Sequence, residues 1–156
     1  LITDREESLR LSGTSTVDAA MQFFKKAGVG SLIITHGSND IHFFADNALF
    51  GLIPKSKLPV SAKVRSQLKE IHEPAGDTTG CGDNFAGGVI ASIAVQLLKK
   101  QGPHIDFKRA ISLGVASGGY TCFYNGGTYF EDHPGSKAQL IEPYYQEYLK
   151  QINLLT

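Results

Sequence analysis

The sequence predicts an α/β domain, a three-layer arrangement in which a mostly parallel sheet is flanked by helices. Three observations carry that expectation. An amphipathic stretch at 16–27 is followed by the short continuous apolar run Leu32-Ile33-Ile34, which suits a strand covered on both faces. A glycine-rich stretch at 77–82 leads into the apolar run Val89 to Leu98 and reads as a loop opening a buried helix. Helix and strand alternate, and in such folds ligands gather at the carboxyl ends of the strands. A length of 156 residues with an apolar fraction of 42% suits one domain with one sizeable core.

Taken in order, Leu1-Ile2-Thr3 reads as the end of a core strand. An acidic turn through Asp4 and Glu7 follows, then a short helix at 8–12 that stops at Gly13. In the 16–27 stretch Val17, Ala20, Met21, Phe24 and Ala27 recur at spacings of three and four, which sets one apolar face on a helix ended by Gly28. Thr35-His36-Gly37 closes the apolar strand, and a glycine there makes a turn; His36 has no partner in sequence that would make it a base or a ligand. Two runs, 41–45 and 48–53, flank Asp46-Asn47 as a hairpin or meander on the sheet edge. From Pro54 to Pro74 the chain is polar, Pro-bounded and basic, with Lys55, Lys57, Lys63, Arg65 and Lys69, and reads as a solvated loop. Asp106 starts a helix crowded with the small residues Gly114, Ala116, Gly118 and Gly119, whose glycines lower helix propensity, so something must pack closely there. A glycine turn, Asn125-Gly126-Gly127, closes it, and 136–155 forms a last packing helix interrupted or restarted at Pro143.

Charge and motif content narrow the function. Fifteen basic and fifteen acidic residues cancel, which leaves no global field to attract nucleic acid or an anionic membrane. The two cysteines, Cys81 and Cys122, have no metal-ligand spacing, so a reduced, cytoplasmic protein is the expectation. Neither an 18-residue apolar run nor a basic-then-apolar leader is read in the chain. Gly-x-x-x-x-Gly-Lys-Ser/Thr, Gly-x-Gly-x-x-Gly after a strand, the nucleophile elbow and His-rich metal motifs are all missing.

One chemical centre is left, the stretch Asp77-Thr78-Thr79-Gly80-Cys81-Gly82-Asp83. Gly80 and Gly82 let backbone N–H groups turn toward a ligand, the helix start that follows favours negative charge, and Asp83 stands at that start. A corner that binds an anion beside a carboxylate is what phosphoryl transfer to a hydroxyl requires, because the donors hold the charge while the carboxylate takes the proton. The structural alternative is that Asp83 only caps the helix after a glycine turn.

This stretch resembles the C-terminal signature of the ribokinase-like (PfkB) family of carbohydrate and nucleoside kinases, Asp-Thr-Thr-Gly-x-Gly-Asp before a small-residue helix, with Cys81 where the family usually has Ala. The resemblance implies an ATP-dependent kinase acting on a hydroxymethyl group of a sugar or nucleoside, with Asp83 as the base and the amides of Gly80, Cys81, Gly82 and Asp83 as the anion hole. It assigns Thr35, Gly37, Thr78, Val115 and Gly118 to the nucleotide, tight helix packing being the alternative for the last two. The family's Asn-x-x-Glu falls on Asp4 and Glu7, which would hold Mg2+ through water; the alternative is that both complement a helix dipole. Asp77, Thr79 and Gly127 match a cage for a monovalent cation, commonly K+. The basic stretch after Pro54 looks like an insertion on the nucleotide side, with contact to ATP phosphates as the alternative to a solvated loop. The resemblance covers nearly all of the chain but only the later half of the family's fold. It therefore implies a piece truncated at the N-terminus, residues 1–156 being the C-terminal, nucleotide-binding part, inactive alone and open to homodimer formation in the intact parent. The rival is a nucleotide-binding remnant or sensor of the same fold without turnover.

Overall fold

The computed structural model describes residues 1–71, 76–99, 102–127 and 131–155. The chain divides into two compact units, Leu1–Val60 and Ser61–Thr156.

The first unit contains the sheet. Its elements are β1 (Ile2–Asp4), α1 (Arg5–Ser12), α2 (Val17–Lys26), β2 (Ser31–Thr35), β3 (Ile41–Asn47) and β4 (Gly51–Leu58). Strand order is β1-β2-β3-β4. The α/β class is as expected, and β1 pairs with β2 in parallel, Asp4 opposite Thr35. The mostly parallel pairing does not extend further: β2 with β3 and β3 with β4 are antiparallel, because short turns rather than crossover helices join them. On one side Ala20, Met21 and Phe24 of α2 pack against Leu32, Ile34 and Phe44, with Leu9, Val17 and Val29 at the margin. Burying one such large apolar side chain is worth about 1.5–3 kcal/mol. Ile33 is also buried, so both faces of β2 are covered.

Two boundaries differ from expectation in this unit. The β3–β4 turn lies at 48–50 rather than at Asp46-Asn47; Asn47 ends β3, and its Oδ1 accepts from the amides of Leu49 and Phe50 at 3.0 Å each. The supposed basic loop from Pro54 to Lys57 is strand. β4 is the edge of the sheet, where proline costs no ladder bond and charge discourages further pairing, so a polar, Pro-containing strand is stable there.

The second unit is helical: α3 (Ala62–Glu70), α4 (Cys81–Lys99), α5 (Phe107–Thr121) and α6 (Ser136–Gln151). Thus most of the remaining basic stretch is helix α3, capped by Ser61, and residues 72–75 lie outside those described. α4 and α5 meet along a seam of small residues. A Cβ at Gly114 would lie 2.8 Å from the Phe85 carbonyl oxygen, and one at Gly88 2.7 Å from that of Leu113. That close approach is the reason α5 tolerates so many glycines. Ala116, Tyr120 and Ile141 pack with Leu113, Phe123, Tyr124, Tyr144 and Tyr145, joining α5 to α6. Pro143 sits inside α6 without dividing it.

α4 is less enclosed than its composition suggests. Phe85, Val89, Ser92 and Gln96 are buried, whereas Ile90, Leu97 and Leu98 are exposed, Leu98 at 83%. At 19 residues with a mean hydropathy of 1.3, it is long and apolar enough to cross a membrane by length and composition alone. Asp83, Asn84, Ser92 and Gln96 interrupt it, so it is no continuous apolar run.

Candidate active site

The structure groups the expected residues into two sets, one in each unit. In the first unit β1 and β2 run parallel, so Asp4 and Thr35 stand side by side at their carboxyl ends. Gly37 follows in a positive-φ turn, φ 52°. Asp4 is the N-cap of α1: its Oδ1 accepts from the Glu7 amide at 2.8 Å, and Glu7 Oε2 accepts from the Asp4 amide at 3.4 Å and from Thr3 Oγ1 at 3.1 Å. This is a complete capping box, which starts the helix at Arg5, earlier than the sequence suggested. The dipole-complementing arrangement is thus realised in these residues. Each carboxylate keeps its second oxygen outside the box, so a hydrated cation could still be held there through water. Among the described residues no group of three or more His, Cys, Asp or Glu side chains converges as a direct metal site.

In the second unit the loop 76–80 and the turn 122–127 are laced together. The Asp77 amide donates to the Tyr124 carbonyl at 3.0 Å. The Asp77 carboxylate accepts from the Thr79 amide at 2.8 Å and from the Gly126 amide at 3.3 Å. These donors, the Thr79 amide first, hold its pKa below the ordinary aspartate value, against a smaller opposing effect of desolvation. Asn84 Nδ2 donates to the carbonyls of Gly80 at 2.9 Å and Gly127 at 3.0 Å. Gly80 has φ 74°, and a Cβ there would lie 2.5 Å from Gly127 Cα, so only glycine suits the position. The oxygens of Asp77 and Gly127 expected around K+ are therefore already paired with N–H donors.

Helix α4 begins immediately after Gly80, which as N-cap has no side chain to offer. The Cys81 amide turns to the Thr78 carbonyl at 3.3 Å, a long turn bond, and is thereby withdrawn from the expected four donors. The amides of Gly82 and Asp83 have no recorded acceptor among the described residues. First-turn amides of this kind carry the positive end of the helix dipole. Asp83 is exposed beside them.

Asp83 and Asn84 border an open cavity of about 520 Å3 lined by residues of α4, α5 and α6. Asp83, Asn84, Gly87 and Gly88 form one wall, Leu113 and Ser117 a second, and Lys137, Ile141, Glu142 and Tyr145 a third, with Gly127 at the rim. Val115 and Gly118 do not line it. Leu113 and Ser117 lie one helical turn apart on the cavity side, whereas Gly118 faces α4, where a Cβ would meet the Cys81 carbonyl oxygen at 2.7 Å. The alternative reading, tight packing, holds for Gly118. Sequence reasoning missed Asn84, Lys137, Glu142 and Tyr145. For Asn84 the signal was present, a hydrogen-bonding side chain one turn past the Gly80 bend; for the α6 residues only an amphipathic pattern was available. Burial raises the Tyr145 pKa above its ordinary value, partly offset by nearby Arg109, so the cavity keeps a neutral phenol.

Comparison with known proteins agrees with this architecture. The family model described as pfkB family carbohydrate kinase matches residues 1–133. Among solved structures, a protein assigned as ribokinase II from E. coli in complex with ATP and Mg2+ is 22% identical, with a TM-score of 0.62 over 93% of this chain and 38% of that one. The ribokinase of Thermotoga maritima is 21% identical, TM-score 0.58, over 94% of this chain and 41% of its own. Aminoimidazole riboside kinase from Salmonella enterica, complexed with aminoimidazole riboside and an ATP analogue, is 19% identical, TM-score 0.59, over 90% and 41%. The chain thus spans about two fifths of the length of these structures and shares the ribokinase-like fold. Comparison with curated proteins yields no match. With the signature turn at the head of α4 and a family match over most of its length, the chain belongs to the pfkB family of carbohydrate kinases.

Proposed function

We propose that residues 1–156 are the nucleotide-binding part of an ATP-dependent phosphotransferase that delivers a phosphoryl group to a hydroxymethyl group of a sugar or nucleoside. The observation that carries this reading is the first turn of α4, where the exposed Asp83 lines the cavity and the Gly82 and Asp83 amides have no acceptor among the described residues. Negative charge growing on the transferring phosphoryl oxygens would be met by these amides and the helix dipole. The acceptor hydroxyl gives its proton to the Asp83 carboxylate as its oxygen bonds to phosphorus, and ADP leaves with the electrons of the broken P–O bond. The apolar walls, Leu113 and Ile141, suit a base, and the Lys137 ammonium adds positive charge on the α6 side. Mg2+, held through water near Asp4 and Glu7, would neutralise phosphate charge. Thr35, Gly37 and Thr78 remain proposed nucleotide contacts, and no step is derived through K+. A cytoplasmic location accords with two free thiols.

The rival reading, a nucleotide-binding sensor without turnover, draws on the engagement of Asp4 and Glu7 in a cap. Asp83→Asn in the intact parent separates the two. Asparagine keeps the shape but is no base, so ATP affinity and melting temperature should hold while the rate at saturating substrates falls about 10²- to 10⁴-fold. Retention of more than about a tenth of parental turnover would remove Asp83 from the mechanism.

A further inference from the structure

The two cysteines of the chain, 41 positions apart in sequence, are brought together at the anion-binding corner. Cys81 Sγ lies 3.2 Å from Cys122 Sγ. Cys81 is the first residue of α4, between the two glycines of the turn, and Cys122 is the C-cap of α5. Both are partly exposed. The backbone around them holds the pair in place: Gly118, having no side chain, lets the Cys81 carbonyl oxygen pass close by, the Cys122 amide donates to the Gly119 carbonyl at 3.2 Å, and the Asp77–Tyr124 bond joins the flanking loops. Sulfur atoms at this distance need approach by only about 1 Å to reach covalent length. Nothing in the proposed phosphoryl transfer uses either thiol.

We propose that Cys81 and Cys122 form a reversible disulfide that ties the start of α4 to the end of α5. The oxidant is a low-molecular-weight disulfide. The thiolate of one cysteine attacks one sulfur of the small disulfide, forming a mixed disulfide and expelling one small thiolate. The other cysteine, on losing its proton, then attacks the first one's Sγ and expels the second. The balance is two protein thiols and one small disulfide giving one protein disulfide and two small thiols. In the hydrogen bond of the pair either thiol can donate, and the accepting one ionises more readily, so one of the two supplies the thiolate near neutral pH. Asp77 opposes ionisation of both.

The consequence for binding rests on the function proposed above. Closing the sulfurs draws on the segment that carries the Gly82 and Asp83 amides, and a displacement of about 1 Å at such a site can cost up to about 10² in rate.

The test treats the chain with glutathione disulfide, traps free thiols by alkylation and maps peptides by mass spectrometry. The expected result is a Cys81–Cys122 crosslinked peptide that dithiothreitol abolishes. Cys81→Ala and Cys122→Ser should each stop at a mixed disulfide on the remaining cysteine. Separate glutathione adducts on both cysteines of the unsubstituted chain, without crosslink, would overturn the proposal. Affinity for inorganic tripolyphosphate, measured on the reduced chain, reports separately on the anion-binding reading: its absence there counts against that reading and leaves the disulfide result standing.

Discussion

At the start of α1 the Asp4 carboxylate accepts from the Glu7 amide at 2.8 Å, and Glu7 reaches back to the Asp4 amide; at the start of α4 Gly80 has no side chain with which to do either. Both helices face the same deficit, first-turn N–H groups without intrahelical acceptors. α1 meets it with its own carboxylates. α4 leaves the amides of Gly82 and Asp83 without an acceptor among the described residues, beside a cavity that Asp83 lines. The remaining helices side with α1: Thr16, Ser61 and Asp106 cap α2, α3 and α5, and Glu131 Oε1 accepts from the Gly135 and Lys137 amides at the head of α6. α6 also begins on a glycine, Gly135, with no side-chain cap of its own, but there Glu131 reaches the amides; at the head of α4 no side chain does so among the described residues. A self-satisfied start contributes stability, and an open one holds binding capacity in reserve.

The comparison is broken most severely by deforming the open start without touching its donors. Gly118→Val places a Cβ where the Cys81 carbonyl oxygen would be 2.7 Å away and Phe85 Cβ 3.0 Å away, so the head of α4 must move off α5. Overpacking of this kind costs about 1–3 kcal/mol, and the expected result is a chemical-denaturation midpoint lowered accordingly, with tripolyphosphate affinity lowered as well. Unchanged stability would mean that the seam is loose and that the open start is not held by it.

The contrast between the two helix heads was largely legible in the sequence, because caps and positive-φ glycines are local and depend on few neighbours. Asp4, Glu7, Gly80 and Asp83 could all be placed at helix starts from residue type alone. The walls of the cavity could not. Periodicity gives the spacing along α5 but not its phase, so Val115 and Gly118 were expected where Leu113 and Ser117 stand. Lys137, Glu142 and Tyr145 reach the cavity from a helix more than 50 residues beyond the signature, and only tertiary packing brings them there. The strand β4 was hidden for a different reason: an edge strand exposes most of its side chains, and Pro54, Lys55 and Lys57 carry the composition of a loop.

A smaller effect tests the closed start. Asp4→Ala removes the acceptor for the Glu7 amide and should cost about 1 kcal/mol, whereas Asp4→Asn retains a capping oxygen and should unfold close to the unsubstituted chain. Thermal or urea unfolding of the pair measures it. Should both substitutions destabilise equally, the charge of Asp4 rather than its hydrogen bond would be what matters at this helix head.

The smallest expected effect concerns the turn that carries the open start. Asp77 accepts from the Thr79 and Gly126 amides as a carboxylate, and its pKa is lower in the folded chain than in the unfolded one. The folded state therefore binds this proton less readily than the unfolded state. The contribution of Asp77 is present in full above the unfolded value, about 3.9, and is lost as pH falls through the lower folded value. Because the side chain is solvent-exposed, the loss should appear as loosening of the turn before any global unfolding. Following the Thr79 and Gly126 amide proton shifts against pH measures it directly. Both should titrate together with a midpoint below the ordinary aspartate value, and Asp77→Asn should flatten the titration. A midpoint at or above the ordinary value would show that the two amides do not hold the carboxylate, and the turn at the head of α4 would then owe its shape to Asn84 and the Gly80–Gly127 contact alone.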